Sequence, residues 1–442
     1  MTDRPLPSVL RALAHRDYRR FFVGQLVSLV GTWMQSVAQS WLVYRLTGSA
    51  VLLGTVGFAS QIPVFLLSPV GGVIADRYPR RAILLVTQSA MMLLALALAA
   101  LTLSQRITVP QIVALAALLG VANGFDVPAR QSLLVELVPR EDLLNAIALN
   151  SSMFNGARIV GPAIAGVLVA AVGEGWCFLA NGVSYLAVIA GLLTLRGSGA
   201  APAAHEGALA EIAEGFRFVA ATPPIRSLLL LIGVVSLTGI PYVVLMPVVA
   251  GDVLHAGSGA LGLLMGASGV GALAGALTLA RRTTVRGLGS WVANAALAFG
   301  GALVAFSASR RLALSIALLV PVGYAMMLQM SSANTLIQSM VPDRLRGRVM
   351  SVYSMMFLGM APFGAIVAGA AAERIGAPWA IAIGGAASGA AALAFRRELP
   401  RLRDEGRRLI VAQEALAAHP PDEGAATPIA TSTEDAAGAE RA

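Results

Sequence analysis

Apolar residues run through this chain in stretches of about twenty, the length at which an α-helix spans the hydrocarbon core of a bilayer, and charged residues fall in the short turns between them. Twelve such stretches are centred near residues 33, 63, 93, 124, 159, 186, 238, 270, 298, 326, 359 and 388. Each predicts a membrane-crossing helix, and they are called helices 1 to 12 in chain order. Six lie on either side of a polar interruption. Residues 197–205 are Gly, Ala, Ser and Pro with one His, a composition that predicts a flexible linker. In the next stretch, Glu206 to Val219, the apolar Leu209, Ile212, Phe216 and Val219 share one helical face while Glu211, Glu214 and Arg217 lie elsewhere. That spacing predicts an amphipathic helix on the inner membrane surface. Past Leu399 a short helix gives way to Pro, Ala, Thr, Glu and Asp as far as Ala442, and this tail is expected to be disordered. The expected divisions are an N-terminal segment 1–20, a six-helix bundle 21–196, the linker and its helix 197–225, a second six-helix bundle 226–397 and a tail 398–442.

The pattern also repeats at an offset of 203 residues. Laid over Gly323 to Gly364, the block Gly120 to Gly161 puts Gly120 on Gly323, Val138-Pro139 on Val341-Pro342, Met153-Phe154 on Met356-Phe357, Gly156 on Gly359 and Gly161 on Gly364. Each block reads as helix, charged turn, helix. Duplicated bundles with a working surface between them are how secondary transporters are built, so the expected fold is an all-α membrane protein of two pseudo-symmetric six-helix bundles.

Composition sharpens this. Hydrophobic residues make up 57% of the chain and charged residues only 12%, about half the charge of a typical soluble domain. Arg4, Arg11, Arg16, Arg19 and Arg20 precede a long apolar stretch with no short apolar core and no small-residue cleavage site, so helix 1 is expected to stay in the membrane. With the N-terminus inside, the short inner loops hold ten arginines (Arg77, Arg80, Arg81, Arg140, Arg281, Arg282, Arg286, Arg344, Arg346 and Arg348) and the outer loops five (Arg45, Arg106, Arg310, Arg311 and Arg374). The excess places both termini in the cytoplasm. The formal charge of +9 then reflects topology and anionic lipid contact rather than nucleic-acid binding.

All 32 basic residues are arginine, and the lack of lysine removes whole chemistries. No phosphate-binding loop, retinal Schiff base or lysine nucleophile can be built. His15, His205, His255 and His419 are scattered, and Cys177 is the single cysteine, so neither a metal cluster nor a disulfide framework is expected. No cofactor is expected, and no loop gathers a nucleophile, base and orienting group as an enzyme would need. The expected partners are a small-molecule substrate, protons and membrane lipids, with the chain acting as a monomer.

Between helices 2 and 3 stands Gly72-Val73-Ile74-Ala75-Asp76-Arg77-Tyr78-Pro79-Arg80-Arg81. A positive-inside loop accounts for the arginines, but not for an acid at the membrane edge one turn after a glycine. The segment resembles the signature loop of the major facilitator superfamily, with Pro79 where that family usually has glycine. With the helix count and the repeat, the resemblance covers about residues 15 to 397. It implies that Gly72 lets a neighbouring helix approach, and that Asp76 sits at the N-terminus of helix 11, near Arg346 to Val349. Asp76, Arg77, Arg80 and Arg81 would then latch the cytoplasmic side in the outward-facing state. An anion at a helix N-terminus is stabilised by roughly 0.3 to 2 kcal/mol.

In helix 5, Ala157-Arg158-Ile159-Val160-Gly161-Pro162-Ala163-Ile164-Ala165-Gly166 resembles the Gly-Pro motif of the superfamily's exporters, with Ala165 in place of the first of its two final glycines. Gly161 and Gly166 permit close helix packing, and Pro162 frees a carbonyl. Ordinary packing of a membrane helix would use the same residues. In helix 4, Asn123, Asp126 or Val127, and Arg130 come round to one face. A charge as deep as Asp126 costs roughly 2.5 to 3.5 kcal/mol on the mild insertion scale. Asp126 either pairs permanently with Arg130 or Arg158 and locks helices 4 and 5, or takes up and releases a proton as such a pair breaks and reforms.

Helix 1 carries Gln25, Ser28, Thr32, Gln35, Ser36 and Gln39 at steps of three and four, with Trp33 and Trp41 beside them, and a polar stripe in a membrane must face a cavity or other polar groups. Its counterpart is helix 10, with Met326, Met327, Gln329, Met330, Ser331, Asn334 and Gln338. Thr32, Gln35, Gln39 and Asn123 with Met327, Met330 and Asn334 are therefore the expected substrate contacts, and methionine-rich walls suit a bulky amphiphile. Some of these polar groups would only bond between helices. The runs Gly31 to Tyr44, Phe125 to Gln131 and Val138-Pro139 are similar to the superfamily branch of siderophore and drug exporters that includes the enterobactin exporter. This implies proton-coupled export of a siderophore or drug. Lipid or lysolipid flipping on the same fold is the alternative, and a non-transporting scaffold or sensor is a third, disfavoured by the buried acid and the polar stripe.

Overall fold

A computed structural model describes residues 8–195, 208–282 and 284–418. Expectations for the linker residues 197–205, for the side chains of Leu209 and Ile212, and for the tail from residue 419 lie outside the described residues. Twelve helices among those described are long and apolar enough to cross a membrane, and all twelve expected centres fall inside them. Helices 1 to 6 are Arg16–Thr47, Ala50–Arg77, Arg80–Leu103, Val109–Glu136, Arg140–Val172 and Glu174–Leu193. Helices 7 to 12 are Pro223–Val253, Gly257–Ala280, Leu288–Ala308, Leu312–Met340, Asp343–Ile375 and Ala377–Val411.

The repeat is a repeat of packing. Gly120 of helix 4 abuts the Ser60 carbonyl of helix 2, and its partner Gly323 of helix 10 abuts the Ser268 carbonyl of helix 8. Likewise Gly161 of helix 5 lies on Val30 and Trp33 of helix 1, and Gly364 of helix 11 on Leu237 and Pro241 of helix 7. No hydrophobic force separates helix from lipid inside a bilayer, so close backbone approach at small residues supplies much of the association. The same glycines therefore recur where the same helices meet.

The bundles join along two seams that the repeat also relates. Helix 5 meets helix 8, where Gly166 and Gly262 bring their backbones together. Helix 2 meets helix 11, where Gly54 lies on Ala365 and Gly369 on Ala50. The halves differ in continuity. Helix 11 breaks between Leu358 and Gly359, where Pro362 has no N–H to offer the carbonyl four residues earlier. Nearby, the Ser236 hydroxyl of helix 7 donates to the Phe357 carbonyl.

After the linker, Ala208–Ala221 is a helix. It docks on the start of helix 11: Gly215 faces the Arg348 backbone, and Glu214 pairs with Arg348 and, at 4.0 Å, with Arg344. Val219 is buried, whereas Phe216 is exposed. Helix 12 runs unbroken to Ala418 through Pro400, so the short helix expected after Leu399 is its continuation.

Candidate functional site

A cavity of about 710 Å³ lies between the bundles, within the size range of small-molecule sites. Helix 5 lends Asn150, Phe154, Asn155 and Arg158 to its wall, and helix 11 lends Tyr353, Phe357, Leu358 and Ala361. Helix 10 adds Met326, Met327, Met330 and Asn334, helix 8 adds Leu264, Met265 and Ser268, and helix 2 adds Ser60 and Gln61. Trp33 of helix 1 and Tyr242 of helix 7 also line it, the Tyr242 hydroxyl being 2.7 Å from the Ser268 hydroxyl.

The two ends of the cavity differ. Among the described residues, the hydrogen bonds that join bundle to bundle gather at the end where helix 1 finishes and helix 2 starts. There the Glu373 carboxylate of helix 11 accepts from the Ser49 hydroxyl at 3.2 Å and from the backbone N–H groups of Ala50 at 2.9 Å and Val51 at 3.3 Å. Those are the unpaired donors that open helix 2, so the carboxylate caps it from the other bundle. Beside it, the Tyr44 hydroxyl donates to Asp252 at 2.5 Å. At the opposite end Asp76 and Arg77 are exposed, and among the described residues Asp76 has no hydrogen-bond or ion-pair partner. Arg80 reaches Glu136 and the Ala75 carbonyl, and Arg81 the Leu193 carbonyl at 2.9 Å. Both arginines thus brace their own bundle. Helix 11 starts at Asp343, with Arg346 to Val349 in its first two turns. Among the described residues no neighbouring helix packs against the side-chain position of Gly72; the close contact is one residue earlier, at Gly71 on the Gly124 backbone of helix 4.

Asp126 lies ten residues, about 15 Å, from the Glu136 end of helix 4 and is 1% exposed. One carboxylate oxygen accepts from the Thr87 hydroxyl at 2.9 Å and the Gln88 amide at 2.8 Å, and the other lies 3.3 Å from Arg130 Nε. A buried carboxylate needs such partners to remain charged. Arg158 is not among them. It stands on the cavity wall with its guanidinium 6.0 Å from the Trp33 ring, and it makes no ion pair among the described residues. The expected constellation of Asp126, Arg130 and Arg158 is therefore split between bundle interior and cavity.

The expected substrate contacts divide as well. Met327, Met330 and Asn334 line the cavity. Thr32, Gln35, Gln39 and Asn123 do not: the Gln35 carbonyl accepts from Asn181 of helix 6 at 2.7 Å, Thr32 returns a hydrogen bond to the Ser28 carbonyl, and Asn123 donates to the Leu119 carbonyl. Within the helix 1 stripe, Gln35 bonds across to helix 6, whereas Thr32 and Ser36 return their hydroxyls to carbonyls of helix 1 itself. Gln61, Asn150, Asn155, Tyr242 and Tyr353 escaped the sequence reading, as did Glu373. They are ordinary residues in sequence, and the cavity needs helices 2, 5, 7 and 11 placed together to become visible. In helix 5, Gly161, Pro162 and Gly166 lie at the contacts with helices 1 and 8. Among the described residues no group of His, Cys, Asp or Glu is arranged to hold a metal.

A model of the transmembrane secretion effector family matches residues 7–418. The chain belongs to that family, within the major facilitator superfamily. Among similar proteins, the staphyloferrin A transporter of Staphylococcus aureus is 29% identical over 80% of this chain and 89% of its own length. The multidrug efflux pump Tap of Mycolicibacterium fortuitum is 28% identical over 79% and 88%, and the enterobactin exporter of Shigella boydii 26% over 77% and 81%. The crystal structure of the nucleoside transporter NupG superposes with a TM-score of 0.68 over 86% of this chain and 98% of its own, at 14% identity, which speaks for the fold alone. This member of the family is a multi-pass membrane transporter with siderophore and drug exporters among its relatives.

Proposed function

We propose that this transporter is a proton-coupled exporter of a small amphiphilic molecule, a siderophore or drug, that alternates access across the bacterial inner membrane as a monomer with both termini in the cytoplasm. The observation that carries the reading is the cavity between the bundles, hydrogen-bonded shut at the Glu373 end and, among the described residues, without cross-bundle hydrogen bonds at the Asp76 end. The excess of inner-loop arginines makes the Asp76 end cytoplasmic, so this state receives cargo from the cell. Closing that end brings Asp76 to the start of helix 11, and opening the other releases Glu373 from helix 2. Asp126, held by Arg130, Thr87 and Gln88, is the carboxylate assigned to proton coupling, and the coupled step is a rearrangement of helices 3 and 4 that withdraws those partners.

Acidified inside-out vesicles carrying the protein test this. Proton release is followed as siderophores and amphiphilic drugs are added, with Asp126→Asn vesicles matched for monodisperse protein. The expected result is collapse of the pH gradient by one class of compound in the unmutated protein only. If no compound moves protons while labelled lysolipids cross, flipping replaces export.

A further inference from the structure

The 203-residue repeat allows the two sides of the cavity to be compared position by position. Asn150, Phe154, Asn155 and Arg158 of helix 5 correspond to Tyr353, Phe357, Leu358 and Ala361 of helix 11, and all eight line the cavity. One side offers two amides and a guanidinium, the other a phenol, two apolar side chains and a methyl. Among the described residues, Arg158 is the only charged side chain on the wall. The Tyr242 hydroxyl is already bonded to Ser268, and the Asn334 carbonyl accepts from Gln338 at 2.9 Å. A cation on the cavity wall that makes no ion pair among the described residues is stabilised by an anion brought in by the ligand.

We propose that Arg158 is an oxyanion subsite, and that it selects amphiphiles carrying a carboxylate, sulfonate or phosphate over neutral and cationic ones. The oxyanion sits at Arg158 beside Asn155, and the apolar body lies against Phe357, Leu358 and the methionines of helix 10. Trp33 packs edge-on against Phe154, with ring centroids 5.7 Å apart, and gives the guanidinium an aromatic face to rest on when the site is empty. The assignment rests on the cavity being the cargo site.

Equilibrium dialysis against the full-length protein in phosphatidylcholine nanodiscs, with empty nanodiscs as blank, tests it. The probes are 1-anilinonaphthalene-8-sulfonate, the neutral N-phenyl-1-naphthylamine and the cation tetraphenylphosphonium. The unmutated protein is expected to bind the sulfonate tightest. Arg158→Gln should weaken the sulfonate by roughly tenfold or more, as loss of a charged hydrogen bond does, and leave the neutral probe, which also reports folding, unchanged. Arg158→Lys should restore most of the affinity. Equal losses for both naphthalene probes in Arg158→Gln, or a cation bound as tightly as the sulfonate, overturns the subsite. Competition by lysophosphatidylglycerol or by soluble 2-naphthoate identifies a lipid or an aqueous source of the same anion, and displacement by neither overturns the proposal. Anion binding without flux in vesicles would defeat the export reading and leave the subsite standing; flux of cations unaltered by Arg158→Gln would do the reverse.

Discussion

The two halves of this transporter share a frame and differ in chemistry. Asp126 of helix 4 and Gln329 of helix 10 occupy the same repeat position, and both are buried, at 1% and 0% exposure. Asp126 has Arg130 one turn on, with Thr87 and Gln88 from helix 3. Gln329 has Ala333 where the arginine would be, and neither polar atom of its side chain finds a partner among the described residues. The same split runs through helices 5 and 11, where Arg158 answers Ala361. The two halves share the glycines that set the packing, and at these two pairs of repeat positions the charge stands in the first half only. An ion in a bilayer demands a whole set of partners, so a second complete set would add cost without adding a step to the cycle.

The sharpest way to break the comparison is to make both positions apolar. Asp126→Leu leaves the half-buried Arg130, together with Thr87 and Gln88, without its partner and is expected to destabilise the protein by up to about 3 kcal/mol, below the full cost of a wholly buried pair because water reaches the guanidinium. Gln329→Leu removes an amide that has no partner and is expected to be neutral or stabilising, by up to about 1–3 kcal/mol. Thermal unfolding of both variants in one detergent decides it; equal losses would mean that Gln329 is as firmly bonded as Asp126.

The ends of the cavity extend the comparison, because each would use an acid from one half on a helix start of the other. Glu373 of helix 11 caps helix 2 in the present state, and Asp76 of helix 2 is proposed to cap helix 11 in the alternate one. Neutralising either should bias access in opposite directions, by roughly tenfold if the cap contributes about 1–2 kcal/mol. In a Cys177→Ser background carrying Ser60→Cys, labelling from outside by a membrane-impermeant thiol reagent should rise with Glu373→Gln and fall with Asp76→Asn. Transport should fall in both. Labelling that responds to neither variant removes the capping model.

How much of this was legible beforehand depends on the range of the interaction. Twelve helices follow from apolar run length, and the repeat from glycines that serve the same contacts in both halves. Met327, Met330 and Asn334 fall together on the cavity wall because they share a helical face. On helix 1 the polar stripe was legible but not the meeting of its Gln35 with helix 6, because periodicity fixes a face and not its neighbour. Asp126 could be paired with Arg130 from the i,i+4 spacing, while Arg158, at a similar depth, turns into the cavity on a different helix. Glu373 is 324 residues from Ser49, and no local pattern signals that meeting.

The smallest expected effect comes from the second contact at the closed end. Helices 1 and 7 correspond in the repeat, and their ends are joined by Tyr44 and Asp252 at 2.5 Å. Tyr44 is packed against Trp41, with ring centroids 5.3 Å apart, so Tyr44→Phe keeps the ring contact and deletes only the donor. One hydrogen bond to a carboxylate, partly exposed and open to water as a substitute, contributes about 1 kcal/mol. The outward population, read by the same Ser60→Cys labelling, should therefore rise by roughly fivefold, less than with Glu373→Gln. The double variant separates two arrangements. Effects that multiply mean that the two contacts hold the bundles independently. A double variant no more open than Glu373→Gln alone means that the Tyr44 contact forms only after Glu373 has docked helix 11 on helix 2, which makes that seam the hinge and the helix 1 to helix 7 contact its follower.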